Sequence, residues 1–143
     1  MPPINDSNYF SLKFKLVWLI LGWFQIGVVI YLTLTPTPPE VMQFPYGDKI
    51  SHLLTYTILM LWFCQIYGRL GARLLLALGF IVMGVTLEFL QGMGGVRMFE
   101  VADMAANAIG VVLGWMLASI GFSHLLSGFE YKFLIKQNGR QNV

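Results

Sequence analysis

Charge is what this chain has least of. Lys, Arg, Asp and Glu together make up 11% of its 143 residues, against roughly 25% in ordinary soluble domains. So few charges cannot cover a water-exposed surface, and the class this implies is an integral membrane protein. Cysteine is nearly absent as well. Cys64 stands alone, so no intramolecular disulfide can form, and no CxxC pair offers a zinc or redox site. Among Trp62, Phe63 and Ile66 it reads as a small apolar residue. The net charge is only +2. No Lys/Arg cluster or RNA-reading motif accompanies it, so nucleic acid is not an expected partner.

Apolar residues are abundant, at 57% of the chain, and fall into four runs. The first goes from Leu16 to Leu34 and stops at Thr35-Pro36-Thr37-Pro38-Pro39, which no helix crosses. Nineteen residues rise about 29 Å, enough for the hydrocarbon core. Lys13 and Lys15 precede it as in a signal sequence, but the run is longer than an h-region and no A-x-A site follows. It is expected to be retained. The second run covers Ile50 to Tyr67, the third Leu74 to Leu90, and the fourth Met104 to Phe122. Their short connections predict antiparallel neighbours. The expected fold is all-α, a four-transmembrane-helix bundle over 16–122, flanked by an N-terminal segment 1–15 and a basic tail 123–143.

Orientation follows from the basic residues near the helix ends. Lys13, Lys15, Arg69, Arg73, Lys132, Lys136 and Arg140 belong to one side, Lys49 and Arg97 to the other. Seven against two predicts that both termini are cytoplasmic. In the tail, Leu125, Leu126, Phe129, Phe133 and Leu134 would form one face of a short interfacial helix, with Lys132 and Lys136 toward headgroups. A polar tail beyond Lys136 without regular structure is the alternative.

The polar residues collect at the opposite, outer side. Asp48, Lys49 and His52 open the second run, Glu88 and Gln91 close the third, and Arg97, Glu100, Asp103 and Asn107 lead into the fourth. Ionisable groups at membrane depth are expensive and usually face a bundle interior or aqueous cavity. Asp48, His52 and Tyr56 are spaced i, i+4, i+8 and share one stripe, which suggests that Asp48 orients the His52 imidazole. On the fourth run Asp103, Asn107, Gly110, Gly114, Ala118 and Gly121 share another stripe, and Gly110 with Gly114 makes a GxxxG pair for close helix approach. Ala77, Gly84, Glu88 and Gln91 form a third.

Simpler readings stand beside the functional one. Asp48 and Asp103 would serve as helix caps, and Lys49 and Arg97 as interfacial anchors or ion-pair partners. Tyr56 reads as a hydrogen-bond partner of the cluster. Glu88 fits a structural role least, since a helix C-terminal end disfavours an anion. It must be protonated, or paired with Arg97, Lys49 or protonated His52. No cofactor is called for, and no H-E-x-x-H spacing is present. A divalent cation would nonetheless answer the surplus of Asp48, Glu88, Glu100 and Asp103 over Lys49 and Arg97.

In order along the chain, Asp48-Lys49-Ile50-Ser51-His52 with Tyr56, Glu88-Phe89-Leu90-Gln91, and Arg97, Glu100, Asp103, Asn107 and Gly110 resemble the VanZ family of small membrane proteins. The pattern is D-K-x-x-H-x-x-x-Y, E-x-x-Q and R-x-x-[DE]-x-x-D-x-x-x-N-x-x-G. The resemblance implies a four-helix membrane protein and a link to low-level resistance to the glycopeptide teicoplanin. It assigns no reaction. Three functions remain open on the residues. One is an enzyme on an outer-leaflet lipid or lipid-linked envelope precursor, with His52, Asp48, Glu88 and Asp103 as its acid–base set and Lys49 or Arg97 holding an anionic headgroup. The second is a non-catalytic binder of a headgroup, an antibiotic or a membrane partner protein, with Lys49, Tyr56, Gln91, Arg97, Glu100 and Asn107 lining the pocket. An ion-coupled transporter would need oligomerisation and a continuous acidic path, and the inner halves of runs two to four carry no charge.

Overall fold

The computed structural model describes residues 12–35, 45–94 and 99–135, with side chains through residue 132. All regular structure among these residues is helical. Helix α1 spans Lys15–Leu34, α2 Gly47–Ile66, α3 Leu70–Met93 and α4 Val101–Ser119. A 3-10 turn at Phe122–His124, a short α5 at Leu125–Phe129 and a π-helical turn at Glu130–Ile135 follow. Helix α3 begins four residues before its apolar run, and α2 and α4 begin three before theirs. An apolar run records which side chains suit hydrocarbon, while the backbone ladder continues through polar residues that suit a helix start. Asp48 and Asp103 lie in the first turns of α2 and α4, at the positive end of each dipole. The N-cap positions themselves belong to Tyr46 and Glu100. Tyr46 adopts φ 67°, a left-handed conformation uncommon for a bulky side chain.

Helix α2 is the centre of the bundle. It contacts α1, α3 and, most extensively, α4, and buries Tyr56, Leu59, Met60, Phe63, Cys64 and Ile66. Helix α1 is peripheral, burying only Trp18 and Gly22. Helices α1, α3 and α4 are long and apolar enough to cross a membrane. Large apolar side chains such as Ile20, Phe24, Leu75, Leu78, Val112 and Met116 cover their outer faces, far more exposed apolar surface than a water-soluble monomer carries. Helix α2 has 20 residues and so rises about 30 Å. It is less apolar than the other three because it faces protein, which can satisfy Ser51, His52, Thr57 and Gln65, rather than lipid.

The α2–α4 seam depends on two glycines. A Cβ on Gly110 would run into the Leu53 carbonyl oxygen, and one on Gly114 into the carbonyl of Thr57 and within 2.9 Å of Met60 Cβ. The expected GxxxG contact is therefore made, and its partner is α2. Gly121, placed on the same stripe from sequence, departs from it: it is exposed with φ 125° and follows the end of α4.

The start of α1, the connection between α2 and α3 and the short helices after α4 lie at one end of the bundle, and the starts of α2 and α4 at the other. At one, Gln65 Oε1 accepts from Leu126 N at 2.8 Å and Arg73 Nε donates to Tyr67 O at 2.9 Å. Buried there too, Glu130 accepts from Lys13 N (2.7 Å), Phe14 N (2.9 Å) and Trp18 Nε1 (2.5 Å). The carboxylate thus ties the tail to the start of α1, where the dipole favours an anion. The described part of the tail packs on the bundle through Leu126, while Leu125 and Phe129 stay exposed. The Phe133, Leu134 and Lys136 side chains lie outside the described residues.

Candidate functional site at the polar end of the bundle

At the other end the starts of α2 and α4 meet the end of α3. Because Gly110 lets α4 approach α2 so closely, Asn107 and Asp103, one and two turns before it, are brought against the start of α2. Lys49 Nζ lies 2.7 Å from Glu100 Oε2, 2.9 Å from Asp48 Oδ2 and 3.2 Å from Asp103 Oδ1. Lys49 Nζ donates hydrogen bonds to Glu100 Oε2 and Asp48 Oδ2. Lys49 is an internal counter-ion for three carboxylates, engaged with the protein itself.

His52 is oriented by a different residue from the one its spacing suggested. Its Nδ1 is 3.1 Å from Asn107 Oδ1, and the carboxylate in ion-pair reach is Asp103, with Oδ2 3.9 Å from Nε2. Asp48, four residues earlier on the same helix, turns instead to Lys49. The i, i+4 spacing allowed an Asp48–His52 pair, but the close approach of α4 offered His52 a buried amide and Lys49 offered Asp48 a full charge. With Asn107 Oδ1 accepting, Nδ1 donates this bond and Nε2 faces Asp103.

Glu88 is 2% exposed, and its Oε1 accepts the Glu100 backbone N–H at 3.1 Å. Of the expected partners, Lys49 forms no ion pair with it, and Arg97 lies outside the described residues. One donor atom each from His52, Glu88 and Asp103 lies within 4.8 Å of the others. Asp48, Glu100 and Asp103 form a second such group, around Lys49. Asp103 belongs to both, and its Oδ1 is buried without an aligned hydrogen bond despite the nearby Lys49 charge.

Tyr56 and Gly84 back the site. A Cβ at Gly84 would stand 3.0 Å from Asn107 Nδ2 and 3.2 Å from the Tyr56 hydroxyl, so this glycine leaves room for both groups. Gln91 is buried on the expected stripe, yet its Nε2 donates to Thr33 O at 2.7 Å, tying α3 to the end of α1. The buried polar groups at the far end, Glu130 and Gln65, were not singled out from sequence. A signal existed for Glu130, the sole acidic residue after Asp103.

Comparisons with protein-family models, curated proteins and solved structures find no match to this chain.

Proposed function

We propose that the chain is a VanZ-like protein of a bacterial cytoplasmic membrane, crossing it four times with both termini inside. Its polar end would perform acid–base chemistry on the headgroup of an outer-leaflet lipid or a lipid-linked envelope precursor. The motif resemblance and the seven-to-two distribution of basic residues support the family and the orientation. The fourth span is α2, whose length matches the other spans and whose polar side chains face protein.

The observation that carries the chemistry is the convergence of His52, Glu88 and Asp103 within 4.8 Å at one end of the apolar helices. An imidazole oriented through Nδ1 by Asn107, beside two buried carboxylates, is a set that can take a proton from one group and deliver it to another. The headgroup of a lipid lying against the bundle is the substrate that reaches such a depth without leaving the bilayer.

The test is mass spectrometry of lipids and precursors from bacteria expressing the wild type, Glu88→Gln, His52→Ala or the double variant, with teicoplanin susceptibility as a parallel reading. Gln is nearly isosteric with Glu and removes only the titration and the charge. Each single variant should accumulate normally yet convert about 10²–10⁴-fold more slowly. The double variant should be little worse than either, because groups acting as one unit are not additive. Full conversion by Glu88→Gln would reduce the cluster to a packing device.

A second reading, a non-catalytic binder, is favoured by the charge balance. Among the described residues Asp48, Glu88, Glu100 and Asp103 face one ammonium, Lys49, and this surplus alone would hold a cationic headgroup. A binder saturates at one ligand per chain, whereas an enzyme exceeds its own concentration in product.

A further inference from the structure

We infer that His52, Glu88 and Asp103 form a binding site for a divalent transition metal of the zinc type, with His52 Nε2 and one oxygen of each carboxylate as its donors. This rests on the reading of the same site proposed above and assigns His52 Nε2 as a metal donor in place of the proton acceptor named there.

The two acidic groups at this end are not equivalent. Asp48, Glu100 and Asp103 already surround a cation, the Lys49 ammonium, at 2.9, 2.7 and 3.2 Å. Lys49 reaches the group made by His52, Glu88 and Asp103 only at Asp103 Oδ1, a charge it shares with Asp48 and Glu100, and among the described residues no Lys or Arg pairs with Glu88. Glu88 and Asp103 are 2% and 3% exposed. Among the described residues the Glu88 side chain accepts one aligned hydrogen bond, from the Glu100 N–H, and Asp103 Oδ1 accepts none although Lys49 lies 3.2 Å away. An ionised carboxylate has about four acceptor positions, and burying it without donors or a counter-charge is heavily unfavourable. A dication balances both carboxylates and leaves the imidazole neutral.

Geometry agrees. Two donors at 2.0–2.2 Å from a tetrahedral ion stand about 3.4 Å apart. His52 Nε2 and Asp103 Oδ2 are 3.9 Å apart, too far for a hydrogen bond and close enough for small side-chain rotations to bring both onto one ion. The bond from His52 Nδ1 to Asn107 Oδ1 is what a metal-binding histidine needs on its other nitrogen, since it fixes the tautomer and the ring plane. One imidazole with two carboxylates suits zinc better than magnesium or calcium. Three protein donors leave a coordination position open.

The experiment uses the untagged full chain in detergent, stripped with chelator, equilibrated with Zn2+ and separated from free ion before elemental analysis. One zinc per chain is expected. Asp103→Asn, Glu88→Gln and His52→Ala should each abolish retention, while Asn107→Ala, which keeps all three donors, should weaken it about 10–100-fold. His124→Ala, removing the chain's other imidazole, should leave it intact. Should a donor variant fail to fold, 15N NMR of the histidine-labelled wild type decides. Zinc must shift the His52 Nε2 resonance while Nδ1 stays protonated. Substoichiometric zinc, an unmoved Nε2 resonance, or retention that survives the donor variants would each overturn the site. Lipid conversion that depends on Glu88 without bound zinc would leave the acid–base chemistry and remove the metal; bound zinc without conversion would do the reverse.

Discussion

The tightest link between fold and site is Gly110, and replacing it with alanine tests that link directly. The added Cβ would press on the Leu53 carbonyl oxygen and stand 3.1 Å from Tyr56 Cβ. Both are parts of a helix backbone or its first side-chain atom, so no rotamer change relieves the contact. Helix α4 must move away from α2 by about 1 Å, and forcing extra atoms into a packed seam costs about 1–3 kcal/mol. Gly79→Ala on α3 is the matched control, because nothing lies within 4 Å of its Cβ. There the gain in helix propensity should stabilise by about 0.5–1 kcal/mol. The two substitutions are chemically identical and should differ by about 1.5–4 kcal/mol with opposite signs. Reversible unfolding in mixed micelles, followed by circular dichroism, measures this. The same displacement should break the 3.1 Å His52–Asn107 bond, visible as a changed His52 imidazole resonance. If Gly110→Ala proves as stable as Gly79→Ala with an unchanged His52 signal, the close α2–α4 approach is refuted, and with it the account of how Asn107 reaches His52.

Further outcomes follow from other contacts. Gly84→Ala should lower lipid conversion more than stability, because its Cβ would crowd Asn107 at 3.0 and 3.1 Å; activity and melting measured on one preparation separate the two. Glu130→Ala strands the donors of Lys13, Phe14 and Trp18 and should cost about 3 kcal/mol or more, with faster amide exchange at the start of α1 and red-shifted tryptophan emission. Glu130→Gln keeps one acceptor oxygen and should lose less. In intact cells an impermeant thiol reagent should label Gly94→Cys and spare Gly128→Cys, with Cys64 silent because it is buried; the opposite pattern would invert the proposed topology.

The sequence alone determined the helical class, the four long elements and the residues gathered at the polar end. Apolar runs bounded by Pro, Gly and charge leave few alternatives once backbone groups must be satisfied without water. It also indicated that Glu88 is buried and that Gly110 and Gly114 form a close contact, because both follow from helical periodicity. Some partners within the cluster were legible too, since Lys49 reads as an ion-pair partner for Asp48 and Asp103. Periodicity places side chains on the same face of one helix, but Asn107 over Asp48 as the orienter of His52, and Glu100 as a further partner of Lys49, depend on how α4 lies against α2. That contact is set across 50 or so residues by steric fit between two backbones, information that no local window of sequence contains. The burial of Glu130 beneath α1 is the same case at longer range: a lone acid in a basic tail becomes a helix-end anchor once the chain's two ends are brought together.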